Sequence, residues 1–347
     1  MILASLVKIF VYEHITGGGH SAQSLSDSLT GQADAMVKAL ISDLLRLPDI
    51  QISLWRDARL PELPYTGFDD LRVNQLRVEQ FDRDGWADSV EAADAVWIMA
   101  PETAGLLESL STMVLRLGKT LLGCSPKAVR LCGSKLATVA ALSSCGIDVA
   151  EAIAVEGCPD WSTPCVLKPD DGAGCQDIWR FDDSKAALEF YSMKGFSRSM
   201  ILQRHVAGET GSVSMLCSDG KAIILSINRQ DVELRDSQLV YKGVSVNSFL
   251  IRDQRTANMI RAVADMVAAA VPGLWGFVGI DFVMGPRGPV VIEINPRLTD
   301  AYAGLYDTLG VNVAELTLDL VPNWPSVSGL SPIQPWASAP STQMVLN

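Results

Sequence analysis

The stretch spanning residues 275–297 constrains the fold more than any other part of the chain. Two arms rich in β-branched and aromatic residues flank a Gly/Pro cluster, which breaks helices and favours a turn, so an antiparallel hairpin is predicted. Strand side chains alternate between faces, which places Glu293 and Asn295 on the same face. Asp281 joins that face if it pairs with Glu293, and we predict this register through an odd-numbered loop such as 285–289.

The side chains on this hairpin face predict a magnesium site. Two carboxylates and an amide oxygen in an apolar setting repel each other and lose hydration unless a cation lies among them. Oxygen ligands suit Mg²⁺, or Mn²⁺ in its place, and Mg²⁺ commonly bridges protein carboxylates to substrate phosphates. We therefore interpret Asp281, Glu293 and Asn295 as metal ligands, with Arg297 beyond them to stabilise an anion. In the alternative interpretation, Asp281 merely ends a strand and Glu293 faces solvent.

Charge and cysteine content limit the classes of partner. The 347 residues carry a formal net charge of −12, which argues against nucleic acid or an anionic membrane surface as the main partner. The apolar run 1–12 is too short to span a bilayer and lacks the features of a signal peptide, so a buried strand is predicted there. Seven cysteines without a CxxC pair favour reduced thiols and a cytoplasmic location over disulfides or zinc. Small molecules are therefore the expected partners.

Residues 1–123 are predicted to form an open α/β unit. Strands are expected at 6–12, 50–55 and 95–100, with an amphipathic helix at 33–47. A flexible Gly-Gly-Gly loop follows the first strand, and open α/β sheets bind ligands at the carboxyl ends of their strands. The loop does not match GxGxxG, and a mobile turn without a ligand is the alternative. Candidate substrate contacts at this edge are Glu13, His14, Gly18 and Gly19.

Two lysines stand where a bound phosphate would need them. Lys135 opens a predicted helix, a position that disfavours a cation unless an anion shares the site. Lys168 ends an apolar strand directly before the small-residue segment 170–174, where backbone N–H groups and an ammonium group can cradle phosphates. The pattern is not GxxxxGK[ST], which excludes a P-loop enzyme.

The remaining segments complete a second α+β unit. Strands are predicted at 212–216 and 222–228, followed by a polar loop through residue 243 and an amphipathic helix at 256–270. Residues beyond 322 are rich in Pro and Ser with little periodicity, so we expect a loose peripheral wrap or disorder.

The order and spacing of these features resemble the ATP-grasp superfamily over residues 125–322. The matching features are the lysine at a helix start, the lysine before a small-residue loop, a Gln-x-x-x-x-Gly linker at 203–208 and the final Asp…Glu-x-Asn. The resemblance implies an α/β (α+β) ATP-grasp fold, in which two α+β subdomains clamp ATP behind an open α/β pre-ATP-grasp domain. The implied units are the N-terminal domain at 1–123, the lid subdomain at 124–200, the C-terminal catalytic subdomain at 201–325 and a tail at 326–347.

The same resemblance implies the contacts to ATP and Mg²⁺. The lysines reach the phosphates, the small-residue loop closes over them, and the linker binds adenine. The implied ATP contacts are Lys135, Lys168, Gly172, Gly174, Gln203, Arg204, Val206, Glu209 and Phe282, and the implied catalytic residues are Lys135, Lys168 and Arg297. Many members carry an acid in the linker and another that binds ribose; Thr210 occupies the ribose position here, so Glu209 is expected to substitute.

Three shorter segments, 12–19, 227–230 and 295–302, resemble the branch that contains the tyramine–glutamate ligases of methanofuran biosynthesis and the bacterial enzymes of methylofuran biosynthesis. That resemblance implies a cytoplasmic, ADP-forming carboxylate–amine ligase that joins glutamate to tyramine, tyrosine or a related amine through an acyl phosphate. It also implies a homodimer. The implied substrate contacts are Glu13, Gly18, Gly19, Asn228, Arg229, Gln230, Thr299 and Tyr302. The alternatives are a dipeptide or polyglutamate ligase, a kinase acting on a small molecule, and a regulatory protein that binds nucleotide without turnover.

Overall fold

Two β-sheets organise the chain in the computed structural model, which describes residues 6–65, 71–172, 177–251, 253–322 and 324 and the backbone of 342–345. Within these residues, no helix is both long and apolar enough to cross a membrane. The architecture agrees with the predicted ATP-grasp fold class, because a parallel α/β sheet precedes antiparallel sheet units.

The first sheet is parallel, with the strand order β3-β2-β1-β4-β5. Its strands are β1 (Val7–Glu13), β2 (Ile50–Asp57), β3 (Val73–Val78), β4 (Ala95–Met99) and β5 (Thr120–Leu121). The accompanying helices are α1 (Asp27–Leu45), α2 (Arg83–Glu91) and α3 (Leu106–Arg116). Because the strand order reverses between β1 and β4, their carboxyl ends form the crevice where such sheets bind ligands.

The second sheet is antiparallel, with the order β14-β13-β10-β11-β12-β8-β7-β9-β6 and β15 paired to β12. Its strands are β6 (Ala152–Ala154), β7 (Cys165–Pro169), β8 (Trp179–Phe181), β9 (Met200–Arg204), β10 (Glu209–Ser218), β11 (Lys221–Arg235), β12 (Gln238–Val246), β13 (Gly276–Gly285), β14 (Gly288–Asn295) and β15 (Thr342–Val345). The helices are α4 (Pro126–Gly133), α5 (Lys135–Ser144), α6 (Ser184–Lys194), α7 (Gln254–Ala270), α8 (Leu305–Leu309) and α9 (Val313–Leu318).

The segment predicted as a polar loop after residue 228 is a long hairpin instead. Strands β11 and β12 pair up to Arg235 and Gln238, and the two residues between them, Asp236 and Ser237, both have positive φ. That turn geometry matches the twist of a two-residue hairpin, so short polar residues at the tip stabilise it. The prediction was wrong because the outer half of the hairpin is exposed and lacks the apolar pattern of a buried strand.

The hairpin of β13 and β14 has the predicted pairing of Asp281 with Glu293, but a feature other than the predicted odd-numbered loop produces this register. Asp281 pairs with Glu293, which confirms the predicted register. The connecting turn has only two residues, Pro286 and Arg287, and would by itself place the acids out of register. A β-bulge adds Ile292 to β14 and brings the carboxylates opposite each other, a common device beside active sites.

Candidate active site

Asp281 lies at the centre of the candidate site and is held by two amides. Gln230 Nε2 donates to its Oδ1 at 2.9 Å, and Asn295 Nδ2 donates to its Oδ2 at 3.3 Å. Burial, followed by repulsion from Glu293, raises the pKa of Asp281 to about 8. Two neutral donors therefore do not compensate the charge that this carboxylate would carry when ionised.

Glu293 faces a cluster of cations. Lys135 Nζ lies 3.4 Å from Glu293 Oε2 and donates to the carbonyl of Gly172 at 3.0 Å. Burial alone would raise the pKa of Glu293, but the charges of Lys135, Lys168 and Arg297 outweigh it and lower that pKa. Both predicted lysines are buried, so their ammonium groups are directed at this centre and not at solvent.

The segment after β7 is anchored to the start of α5, which explains how a lysine is tolerated there. The carboxylate of Asp170 accepts from Leu136 N at 2.8 Å and from Ser134 Oγ at 2.7 Å. Negative charge at a helix N-terminus offsets the adjacent cation. Sequence reasoning missed this role of Asp170, although an acid two residues after Lys168 was a visible signal. Gly174 lies outside the described residues.

Arg297 enters the centre from β14 and is paired with Glu102 of the N-terminal domain. Its Nε lies 2.9 Å from Glu102 Oε1, and its Nη2 donates to Glu102 Oε2 at 3.2 Å and to Asn295 Oδ1 at 3.4 Å. Nη1 donates to the carbonyl of Leu298 at 3.2 Å. Arg297 was predicted to stabilise an anion of the substrate, but Glu102 largely occupies its guanidinium group. Sequence reasoning did not single out Glu102.

The donors on the hairpin fit a hard divalent cation. Among the residues that the structure describes, no group of three or more His, Cys, Asp and Glu side chains could hold a metal, so the predicted site depends on two carboxylates and one amide. The raised pKa of Asp281 indicates that this carboxylate lacks compensating charge, which a bound cation would supply. The fit therefore supports Asp281, Glu293 and Asn295 as metal ligands.

Two of the linker residues predicted to contact ATP donate hydrogen bonds to backbone carbonyls of the protein. Gln203 is buried on β9, and its Nε2 donates to the carbonyl of Ala150 at 3.2 Å. The backbone N–H of Arg204 donates to the carbonyl of Glu151 at 2.8 Å, and the contact of the Arg204 backbone with adenine stays a prediction. Val206 is half-buried beside the β13 turn.

Two further predicted ATP contacts lie at the base of β10 and on β13. Glu209 is exposed at the start of β10, opposite Met284, and stays a candidate for ribose. Phe282 is only 2% exposed and packs edge-on against Phe249 at 5.1 Å, in the core that faces α7. Because neighbouring strand residues point to opposite faces, it points away from Asp281, and its assignment as an ATP contact is corrected.

Of the three candidate substrate contacts on β11, one reaches the proposed metal site and two do not. Gln230 reaches Asp281, as described above. Asn228 is fully buried, and its polar atoms bind within the protein. Its Nδ2 donates to Ser212 and Ser214, and its Oδ1 accepts from Asn247 N. Asn228 therefore ties the sheet together and does not contact substrate, whereas Arg229 is exposed on the opposite face from Gln230.

Tyr302 is also structural. Its hydroxyl donates to Asp43 Oδ2 of α1 at 2.8 Å, and its ring packs on Phe277. It therefore fastens the C-terminal segment to the N-terminal domain, contrary to the predicted substrate role. Thr299 is half-buried with its methyl group above Gly279, close to the paired acids.

The candidates at the end of β1 form a packed turn. Glu13 is buried and accepts from Thr16 N at 2.6 Å, Thr16 Oγ1 at 2.7 Å and Ile15 N at 3.1 Å, so both its oxygens are used within the turn. Gly18 has φ +87°, and a Cβ there would lie 2.9 Å from Val78. A Cβ on Gly19 would overlap the His14 ring. The expected flexible substrate loop is therefore a close-packed structural turn.

Asp300 is a carboxylate of this centre to which the sequence analysis assigned no role. It accepts hydrogen bonds from the Tyr241 hydroxyl and from Ala301 N. Burial raises the pKa of Asp300, and Arg297 opposes this shift. Repulsion between Asp300 and Asp281 is further evidence that they face the same space.

Comparisons with known proteins agree with this geometry. Residues 132–301 match the family described as the ATP-grasp domain, and residues 50–129 match the pre ATP-grasp 3 domain. The chain is 28% identical over 217 residues to tyramine–L-glutamate ligase of Methanocaldococcus jannaschii, covering 62% of this chain and 59% of that protein. It is 25% identical over 302 residues to tyramine–L-glutamate ligase of Methanocaldococcus fervens, covering 86% and 89% of the two chains.

Solved structures share the fold at low sequence identity. An ATP-grasp superfamily protein from Archaeoglobus fulgidus superposes with a TM-score of 0.70 at 22% identity, covering 98% of this chain and all of that one. The L-amino acid ligase from Bacillus licheniformis superposes with a TM-score of 0.66 at 14% identity, covering 91% and 75%.

Proposed function

Because the chain belongs to the ATP-grasp ligases, a family of ATP-dependent amide-forming enzymes, we propose that it joins glutamate to tyramine, tyrosine or a related amine. The observation that carries the proposal is the convergence of Asp281, Glu293, Lys135 and Arg297 on one centre between the two sheets. The similarity to tyramine–L-glutamate ligases supports the choice of substrates and a place in the biosynthesis of a methylofuran-type cofactor.

The chemistry requires that a carboxylate oxygen become a leaving group. Transfer of the γ-phosphoryl group of ATP to that oxygen gives an acyl phosphate and ADP, and attack by the amine then forms the amide and releases phosphate. The buried ammonium groups of Lys135 and Lys168 stabilise the charge on the transferring group. A bound Mg²⁺, held by the hairpin oxygens, would neutralise phosphate charge and orient the phosphates.

Arg297 offers a ligand its positive charge and one directed donor, and not a free pair of parallel N–H groups. Its hydrogen bonds to Glu102, Asn295 and Leu298 employ three of the five guanidinium hydrogens. Nε lies 2.9 Å from Glu102 Oε1 in an ion pair, which leaves one Nη1–H to donate to a ligand. A substrate carboxylate or acyl phosphate would therefore accept one directed hydrogen bond from this guanidinium group. A fixed donor of this kind loses little energy in reorganising as negative charge develops.

Asp300 is our candidate for the ammonium group of a substrate. Its carboxylate is oriented by Tyr241 and by the backbone of Ala301, so its position does not depend on a ligand. Both proposed substrates are compatible with such a group, because glutamate carries an α-ammonium and the amine is protonated in solution. The electrostatic interaction of Asp300 with Asp281 supports a site for the ammonium group near the proposed metal ligands.

The test is ADP release from Mg-ATP and L-glutamate, with tyramine, tyrosine or other amines added singly and the product mass recorded. We expect ADP to accumulate with glutamate and an aromatic amine together, along with a product lighter than the two substrates by one water. A condensed product with another acid or amine would correct the substrates and keep the ligase. ATP binding without ADP formation for any pair would refute the proposed function.

A further inference from the structure

We infer that Glu102 is a positioning residue, through which the N-terminal domain aims Arg297 at the reacting carboxylate. The inference rests on the proposed function, because it concerns how Arg297 is presented to that substrate. Glu102 follows β4 at the carboxyl end of the parallel sheet, whereas Arg297 follows β14 of the antiparallel sheet. The contact therefore joins two domains at the centre of the site.

The geometry of the pair restricts the guanidinium to one orientation. Both oxygens of Glu102 face it, at 2.9 Å from Nε and 3.2 Å from Nη2, and the side chains are only 7% and 15% exposed. The Nε contact is an ion pair without the alignment of a hydrogen bond, so the Nη2 bond sets the direction. With this edge occupied, only the opposite Nη1 edge faces a ligand.

Charge explains why an acid is required at position 102. The Arg297 side chain is only 15% exposed, and the Glu102 carboxylate, 2.9 Å from Nε, is a counter-charge in direct contact with it. Without Glu102, the cation would be drawn towards the two hairpin carboxylates and would compete with a metal for their oxygens. Glu102 thus neutralises Arg297 from behind and keeps it away from Asp281 and Glu293.

The same turn also contacts the segment after β7. Ala104 N donates to Asp171 Oδ2 at 3.0 Å, and Ala104 adopts φ +53°, a conformation that non-glycine residues seldom adopt. Two residues of one short turn therefore contact two different segments, since Glu102 pairs with Arg297 after β14 and Ala104 binds Asp171 after β7. This arrangement independently supports a positioning role for the turn.

The experiment compares Glu102→Gln with wild type in amide formation. We expect kcat to fall and KM for the carboxylate to rise, together lowering kcat/KM for that substrate about tenfold or more, whereas KM for ATP stays within about twofold. Glu108→Gln is the matched control, since Glu108 lies nearby on α3 and pairs with the exposed Arg130. Wild-type kcat and carboxylate KM in Glu102→Gln would overturn the inference, as would a uniform change in every KM.

Chemical rescue provides a readout that a purely structural role would not change. Added guanidinium should restore part of the activity of Arg297→Ala, because the Glu102 carboxylate remains to bind it, and should fail in Glu102→Gln/Arg297→Ala. Equal rescue in both backgrounds would contradict the role of Glu102. If the wild type forms no amide at all, the proposed function fails separately. Amide hydrogen exchange of residues 296–304 then tests whether Glu102 holds Arg297 in place. Faster exchange in Glu102→Gln supports this role, and unchanged exchange refutes it.

Discussion

Replacing Asp281 with asparagine should stabilise the metal-free protein at alkaline pH while abolishing ligase activity. The carboxylate has a pKa of about 8 in the folded protein and 3.8 as its ordinary value. A raised pKa means that the folded state holds its proton more tightly than the unfolded chain. Stability is therefore lost as pH rises from about 4 towards 8, and asparagine, which has no proton to release, avoids that loss.

The magnitude follows from the same pKa values. Each pH unit within this range removes about 1.4 kcal/mol, so the wild type would lose about 4 kcal/mol between pH 5 and pH 8 if the whole shift applied. Asp281 retains some access to solvent, which screens its repulsion from Glu293, so we expect about half of that loss, or ~2 kcal/mol. Mg²⁺ should restore stability to the wild type at pH 8 because it binds only the folded site.

The assay is urea unfolding in the presence of a chelator at pH 5 and pH 8, repeated with Mg²⁺. Asp281→Asn should lose about 2 kcal/mol less than the wild type between the two pH values and should gain little from Mg²⁺. The control is Asp182→Asn, whose side chain is 86% exposed and pairs with Arg180 on the surface. Identical pH dependence in wild type and Asp281→Asn would refute the argument that this carboxylate is buried without sufficient compensation.

Three further substitutions separate catalytic, substrate-binding and structural roles. Lys135→Ala should lower kcat/KM for ATP by about 10²- to 10³-fold, because a buried ammonium no longer stabilises the phosphoryl group, and steady-state kinetics with varied ATP will measure it. Asp300→Asn should raise KM for the ammonium-bearing substrate about tenfold and leave KM for ATP unchanged; an equal rise in both would contradict its assignment. Tyr302→Phe should cost about 1–3 kcal/mol of unfolding free energy, since the buried Asp43 loses its donor, and denaturant titration should show this loss with unaltered kinetics.

Several parts of the site could be predicted because they depend on local pattern. Alternation along the hairpin placed Glu293 and Asn295 together, and the Gly/Pro turn located their partner strand. Lys135 and Lys168 were recognisable because each lies at the end of an element, where its charge needs an explanation. By contrast, Phe282 was misassigned, because a residue adjacent to Asp281 on a strand points to the opposite face of the sheet.

The sequence by itself determined the kinds of element, their order and the residue types that carry the chemistry, because these follow from periodicity, turn residues and charge. Tertiary structure decided which side chains remain available for a ligand. Asn228 is consumed by hydrogen bonds within its sheet, and Arg297 is turned by Glu102, a residue 195 positions away. The bulge at Ile292 likewise aligns the two acids through strand pairing. Such contacts depend on the packing of distant segments, which local periodicity does not encode.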